Sequence, residues 1–251
     1  MKVSPAVLGM VLGGAISCAG PEVVPIRGFV VPESAVVIDL TRALAPAADG
    51  RLPVDPRAGT YLAAPAATAA GRPMADRLNP GGFLGPAVVI DISAWVESDP
   101  DYRLTSNDIA AWQRRHGPIP PGAIVLLRSG WGVRWGKASA SSGAPSELYL
   151  NPDKDGKPHY PGFHVDVARR LAGMPEVQGL GTDAFSVEGG GSEEARETLA
   201  AIHEAGRYTL GNLDHLDRLP ESGAILIVAP LKTVEAALVP ARVLALVPRE
   251  L

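Results

Sequence analysis

The stretch TSNDIAAWQRRHGPIPPGAIVLLRSG, residues 105–130, holds the decision about fold. Thr105 is a hydroxyl residue placed to cap a helix, Ile109, Trp112 and Gln113 fall on one face, and Gly117 is a stop. A proline- and glycine-rich step follows. Then AIVLLRSG (123–130) is a short, nearly all-apolar run, the pattern of a strand buried on both faces. Helix followed by buried strand is the unit of an α/β domain.

The same strand character recurs in AVVIDLT (35–41), PAVVIDIS (86–93), AILIVAPL (224–231) and ARVLALV (241–247). Two more helical segments lie among them. FHVDVARRLAG (163–173) ends at Gly173, and SEEARETLAAIHEAG (192–206) has Ser192 at its N-cap position, acids in the first turn, and Leu199 and Ile202 on one face. The connections 42–85 and 131–163 are longer than a bare scaffold needs, and a site is expected there. GLGTDA (179–184) lacks the third glycine of a dinucleotide fingerprint and EGGGSEE (188–194) lacks the lysine of a phosphate loop, so both read as turns.

Composition narrows the function classes. With 46% hydrophobic and 20% charged residues, most of the 251-residue chain reads as a globule with a substantial core. A formal net charge of −4 without a basic cluster argues against nucleic acid as a partner. No G-x-S-x-G elbow is present, and none of the five histidines (His116, His159, His164, His203, His215) forms an H-x-x-x-H pair.

The N-terminus, MKVSPAVLGMVLGGAISCAG (1–20), has Lys2, an apolar run and small residues around Cys18, the layout of an export leader. Ala15-Ile16-Ser17-Cys18 resembles a bacterial lipobox, which makes Cys18 a candidate lipidation site. Cleavage after Ala19 is the alternative, and an uncleaved apolar leader a third. The organisation expected is a leader (1–19), a proline-punctuated linker (20–34) and one domain (35–251). The product is exported, either as a cell-envelope lipoprotein or as a periplasmic or secreted protein, and it meets the membrane only through a lipid anchor.

VVIDLTRAL (36–44), DRLNPGGFLGPAVVIDIS (76–93), DPDYRLTSNDIAAWQRRHGPIPPGAIVLLRSGWGVRWG (99–136), HYPGF (159–163), GLGTDAFSVEGG (179–190), NLDHLDRLP (212–220) and VAPLKTVEAALVPARVLALVP (228–248) follow one another in an order that resembles the cyclase family of kynurenine formamidase (arylformamidase) and isatin hydrolase. The resemblance implies a single-domain swivelling β/β/α fold, commonly a homodimer or larger. It also implies a zinc or manganese centre that activates water to open an amide or lactam.

That family's signature reads H-x-G-T-H-x-D-x-P-x-H, with a further His and Glu later in the chain. RAGTYLAAPAAT (57–68), anchored on Gly59, Thr60 and Pro65, puts Arg57, Tyr61, Ala63 and Ala67 at the ligand positions. The late His position falls on Leu199 (or Thr198), and the late Glu position on Gly211. His203 is out of register by four residues. A divalent metal requires converging imidazoles and carboxylates, and a guanidinium is donor-only and cationic. No metal or cofactor is therefore expected. The chemistry is expected to be impaired by loss of that mechanism, the alternative being a non-catalytic exported protein that binds a small aromatic or acidic molecule.

On the resemblance, Trp131, Trp135, His159, Tyr160, Pro161 and Phe163 fall around the family's pocket, where they serve a flat aromatic ligand, Trp131 and Trp135 being alternatively core or dimer-interface residues. Asp183 matches the family's aspartate at a strand end. Arg57 and Tyr61 are expected to point into the old metal cavity, with Arg57 satisfied by Asp55, by Asp183 or by a bound anion. Metal-free acid–base work by Tyr61, His159 or Asp183 is a third reading.

Overall fold

The computed structural model of the chain describes residues 34–44, 55–136, 145–191 and 194–248. The leader, Cys18, the linker to residue 33 and Ser192 lie outside the described residues. No helix among the described residues is long and apolar enough to cross a membrane.

One sheet organises the molecule. Its strands are β1 (Ala35–Asp39), β2 (Tyr61–Ala63), β3 (Leu84–Asp91), β5 (Ala123–Arg128), β7 (Val177–Thr182), β8 (Tyr208–Gly211), β9 (Ile225–Pro230) and β10 (Leu238–Pro248). They lie in the order β1-β10-β2-β8-β7-β5-β3-β9, and β9 also pairs with β10. Seven strands thus close into a barrel-like ring, with β1 laid antiparallel on the last residues of β10. The pairs β3–β5, β5–β7 and β7–β8 are parallel, and the others in this sheet are antiparallel. A two-stranded parallel pair, β4 (Arg103–Leu104) with β6 (Gly162–Phe163), stands apart.

The alternation of the parallel strands divides the core in two. Val88, Ile90, Val125 and Leu127 face outward to the helices α1 (Ser93–Val96), α2 (Ser106–His116), α3 (Glu147–Leu150), α4 (Val165–Gly173) and α5 (Ala195–Glu204), packing with Trp112, Phe163, Leu171 and Ile202. Val89, Ile124, Leu126 and Leu210 face inward and fill the ring with Leu62, Leu226 and Val243. Strands buried on both faces carry no polar alternation, which is why they read as continuous apolar runs.

The expected helix signals hold at 105–117. The Thr105 side chain and Asp108 form a reciprocal capping box, and Gly117 ends the helix at φ +86°. GLGTDA is a different matter. Gly179 to Thr182 belong to β7, not to a turn. A Cβ on Gly179 would lie 2.5 Å from the Tyr208 ring, and one on Gly181 would lie 2.9 Å from Leu126. These glycines make room for neighbouring side chains, which an isolated sequence cannot reveal.

Candidate functional site

The carboxyl ends of β3, β5, β7 and β8 lie along one edge of the ring, the edge where open α/β sheets place ligands. The segment 57–68 is locked there. Asp55 caps a short 3-10 turn, Pro56–Ala58. Thr60 Oγ1 donates to the carbonyl of Asn212 (2.7 Å) and accepts from the Arg42 N–H (2.7 Å). Asn212 is fully buried, and its Nδ2 donates to the carbonyls of Arg57 and Gly59, both at 2.8 Å. The Gly-Thr step therefore fixes the loop against the end of β8.

From that lock the chain runs into β2, where Tyr61 pairs with Gly211 and Ala63 with Thr209. Tyr61 is buried and donates its hydroxyl to the carbonyl of Phe185 (2.9 Å). Burial, with the Glu188 carboxyl nearby, pushes this phenol far above its ordinary range. Its ring occupies the space over Gly211, where a Cβ would come within 2.3 Å of Cε1. Ala67 is half-buried at the end of the turn Pro65–Ala67, and Thr68 Oγ1 after it lies 2.7 Å from Nδ1 of the fully buried His203 in α5. Thr198 is buried, and Leu199 packs half-buried on the outer core.

These residues do not fit a divalent metal. The phenol is a hydrogen-bond donor to a carbonyl, two positions are alanines, Gly211 has no side chain, and His203 already engages Thr68. Among the described residues no group of three or more His, Cys, Asp or Glu is placed to hold a metal ion.

Arg57 stays at the rim rather than entering this space. Its Nε and Nη2 donate to the two oxygens of Asp55, each at 3.0 Å, and its side chain is 42% exposed. The Arg57 bond in turn holds the Asp55 carboxyl below its usual value. The guanidinium carbon lies 5.6 Å from the centroid of Phe185, whose ring meets that of Tyr160 edge-on at 5.9 Å. Beneath them Ser186 donates to the Glu188 carboxyl, which burial pushes up. The Arg103 guanidinium donates to the carbonyls of Asp101, Tyr160 and Gly190.

The remaining expected residues divide between core and surface. Trp131 is buried, with its indole N–H on the Tyr149 carbonyl (2.8 Å). Trp135 is buried edge-on to Tyr149 at 5.0 Å, with the Arg42 guanidinium 5.0 Å from its ring. Both tryptophans are core residues here. Phe163 and Pro161 are buried as well. His159 sits between carboxylates, Nδ1 2.6 Å from Asp101 and Nε2 3.4 Å from Asp153, and these bonds raise its pKa.

Asp183 accepts from the Ser129 N–H (2.9 Å) and hydroxyl, and burial raises its pKa. It forms a wall of an open cavity of about 400 Å³ at the strand ends, shared with Gly132, Val133, Asp214 and His215. Sequence reasoning missed Arg42 and Asn212, which tie the site together. Arg42 bonds the Gly132 carbonyl (2.9 Å) and pairs with Asp214 (3.2 Å). The one available signal was Asn212 directly after an apolar strand, since asparagine tolerates the left-handed backbone it adopts there (φ +55°).

A closed mixed sheet with helices on its outer face and a small-molecule-sized cavity at its parallel strand ends defines an α/β protein of the cyclase-like fold. The family described as Putative cyclase matches residues 38–189, and the chain belongs to that family. An isatin hydrolase of Roseibium aggregatum is 38% identical over 178 residues, covering 69% of this chain and 64% of that protein. The match thus spans less than two thirds of that relative's length. Among solved structures, isatin hydrolase A from Labrenzia aggregata bound to benzyl benzoate superposes with a TM-score of 0.75 at 29% identity, covering 86% of this chain and 94% of that one. Isatin hydrolase A from Ralstonia solanacearum gives 0.73 at 32% identity, covering 85% and 92%.

Proposed function

We propose that this chain is a cyclase-family protein that has lost metal-activated hydrolysis and binds a small aromatic or acidic molecule at its strand ends. The observation that carries this reading is the Tyr61 ring over Gly211. A buried phenol bonded to a carbonyl stands where the family resemblance expects a histidine and a glutamate. The cavity beside Asp183 supports binding, because its volume lies within the range of small-molecule sites.

Hydrolysis of an aryl amide or lactam is the second reading, favoured by the 38% identity to an isatin hydrolase. Assay of the purified chain against isatin and N-formylkynurenine, with and without added zinc or manganese, separates the two. The binding reading expects no turnover above buffer. Ring opening of isatin that scales with protein would overturn it.

Export with Cys18 as a lipid-bearing N-terminus, and assembly as a homodimer, complete the proposal. Two acyl chains on that cysteine would supply the stable anchoring that one chain does not. Mass spectrometry of the membrane fraction tests this, and a mature chain beginning at Gly20 or retaining Met1 refutes it.

A further inference from the structure

A second cavity, which shares Arg42 and Thr60 with the locked loop, lies at the corner where β10 exchanges one partner for another. Residues Leu238–Pro240 pair with β2, and from Ala241 onward the strand pairs with β9. The bend is held by the Ala241 N–H on the Thr60 carbonyl (3.0 Å) and the Leu231 N–H on the Pro240 carbonyl (2.9 Å). Behind it opens a space of about 430 Å³ whose walls include none of Tyr61, Asp183 or Gly211.

Its chemistry is one-sided. Ala43, Leu44, Ala229, Leu231, Pro240 and Ala241 make the walls apolar. The two threonines present, Thr41 and Thr60, have their hydroxyls spent on the backbone of Val243 and of Asn212 and Arg42. Every charged residue lining the space is basic: Arg42, Lys232 and Arg242. Lys232 is exposed and has no ion pair among the described residues, whereas Arg242 is shared with Asp39. Arg42 is only 7% exposed and is already committed elsewhere, to the Gly132 carbonyl and the Asp214 carboxylate, which leaves Lys232 as the free cation of the space among the described residues.

We infer that this corner cavity binds an aliphatic carboxylate, its chain between the apolar walls and its head toward Lys232. The apolar walls exclude a polyol or a nucleotide, which would leave its hydroxyls unpaired. Lys232, the lining cation with no ion pair among the described residues, disfavours an amine. At roughly 30 Å³ for each small group, the space takes a ligand on the order of a dozen heavy atoms. Decanoate meets that size and charge.

The test is titration calorimetry of the full chain with decanoate, with decanol as the neutral control. One saturable site per chain is expected, and decanol binds it at least about tenfold more weakly. Lys232→Glu weakens decanoate by about tenfold or more, because it reverses the charge at the mouth. Ala229→Phe abolishes binding by filling the space from an exposed strand position, and its unchanged melting temperature shows that the fold survives. Absence of saturable heat overturns the inference, as does wild-type affinity in Ala229→Phe or equal binding of decanol. Sedimentation showing self-association through this face, relieved by Leu231→Ser and indifferent to decanoate, would make it an interface between copies and overturn the inference too.

Discussion

The ring of Tyr61 lies directly over Gly211, its cross-strand partner, so closely that a Cβ on residue 211 would meet Cε1 at 2.3 Å and the Phe185 carbonyl at 2.6 Å. The residues at the two positions that the family resemblance assigns to a histidine and a glutamate therefore fit each other as a pair. The Tyr61 ring fills the space that a side chain at residue 211 would need. Gly211→Ala is expected to cost about 1–3 kcal/mol through overpacking. In a Tyr61→Ala background that penalty shrinks without vanishing, because the Phe185 carbonyl remains. Urea denaturation of the wild type, both single variants and the double variant measures the coupling, and strictly additive losses would refute the pairing.

Metal addition provides an independent check on the same site. A cation that binds the folded state alone raises the melting temperature with the logarithm of its concentration over its Kd. Zinc or manganese at a large excess over protein is expected to leave the melting temperature unchanged, and elemental analysis after dialysis to find well below one ion per chain. A metal-dependent rise of several degrees, or one retained ion, would restore the hydrolase reading.

His203 makes stability depend on pH. Burial lowers its folded pKa to about 4, from an ordinary value of 6.5. The unfolded chain therefore binds a proton between these values when the folded chain does not, and stability falls as the solution is acidified. The contribution is full above pH 6.5, is lost progressively as pH falls toward 4, and amounts to about 3 kcal/mol across that window. His203→Gln is expected to flatten this part of the profile in denaturant titrations at pH 7, 6 and 5. An equally steep decline in the variant would assign the acid sensitivity elsewhere.

The fold was legible where burial on both faces writes an uninterrupted apolar run. AVVID, PAVVID, AIVLLR, ILIVAP and the run ending at Val247 each lie in a strand. Three strands of the large sheet escaped notice, besides the two-residue pair β4 and β6. Tyr61–Ala63 and Tyr208–Gly211 are only three and four residues long, and Val177–Thr182 carries glycines demanded by Tyr208 and Leu126. Those constraints come from other parts of the chain, so local pattern cannot report them. The site divided in the same way. The missing donors could be read residue by residue, but Arg57 turning back to Asp55, two residues away, is a choice of rotamer. Trp131 and Trp135 show the limit of residue type as evidence, because an aromatic beside a family pocket and an aromatic in the core look identical in sequence.

The loop that carries the degenerate signature is held by Asn212, and not by Arg57. Asn212 spends its amide on the Arg57 and Gly59 carbonyls, accepts the Tyr149 hydroxyl at 3.2 Å, and receives Thr60 on its own carbonyl, all out of water. Asn212→Gly keeps the left-handed backbone and loses the side-chain bonds, which leaves the buried Gly59 carbonyl and the part-buried Arg57 carbonyl without that donor. It is expected to cost about 2–4 kcal/mol. Asn212→Ala should cost about 1 kcal/mol more, because alanine is strained at φ +55°. Arg57→Ala removes a half-exposed pair with Asp55, worth about 0.2–1 kcal/mol, and a contact over the Phe185 ring worth about 0.5–1 kcal/mol. Guanidinium denaturation ranks the three. An Arg57→Ala loss as large as that of Asn212→Gly would mean that Arg57 holds the loop from within, against the rim position seen here.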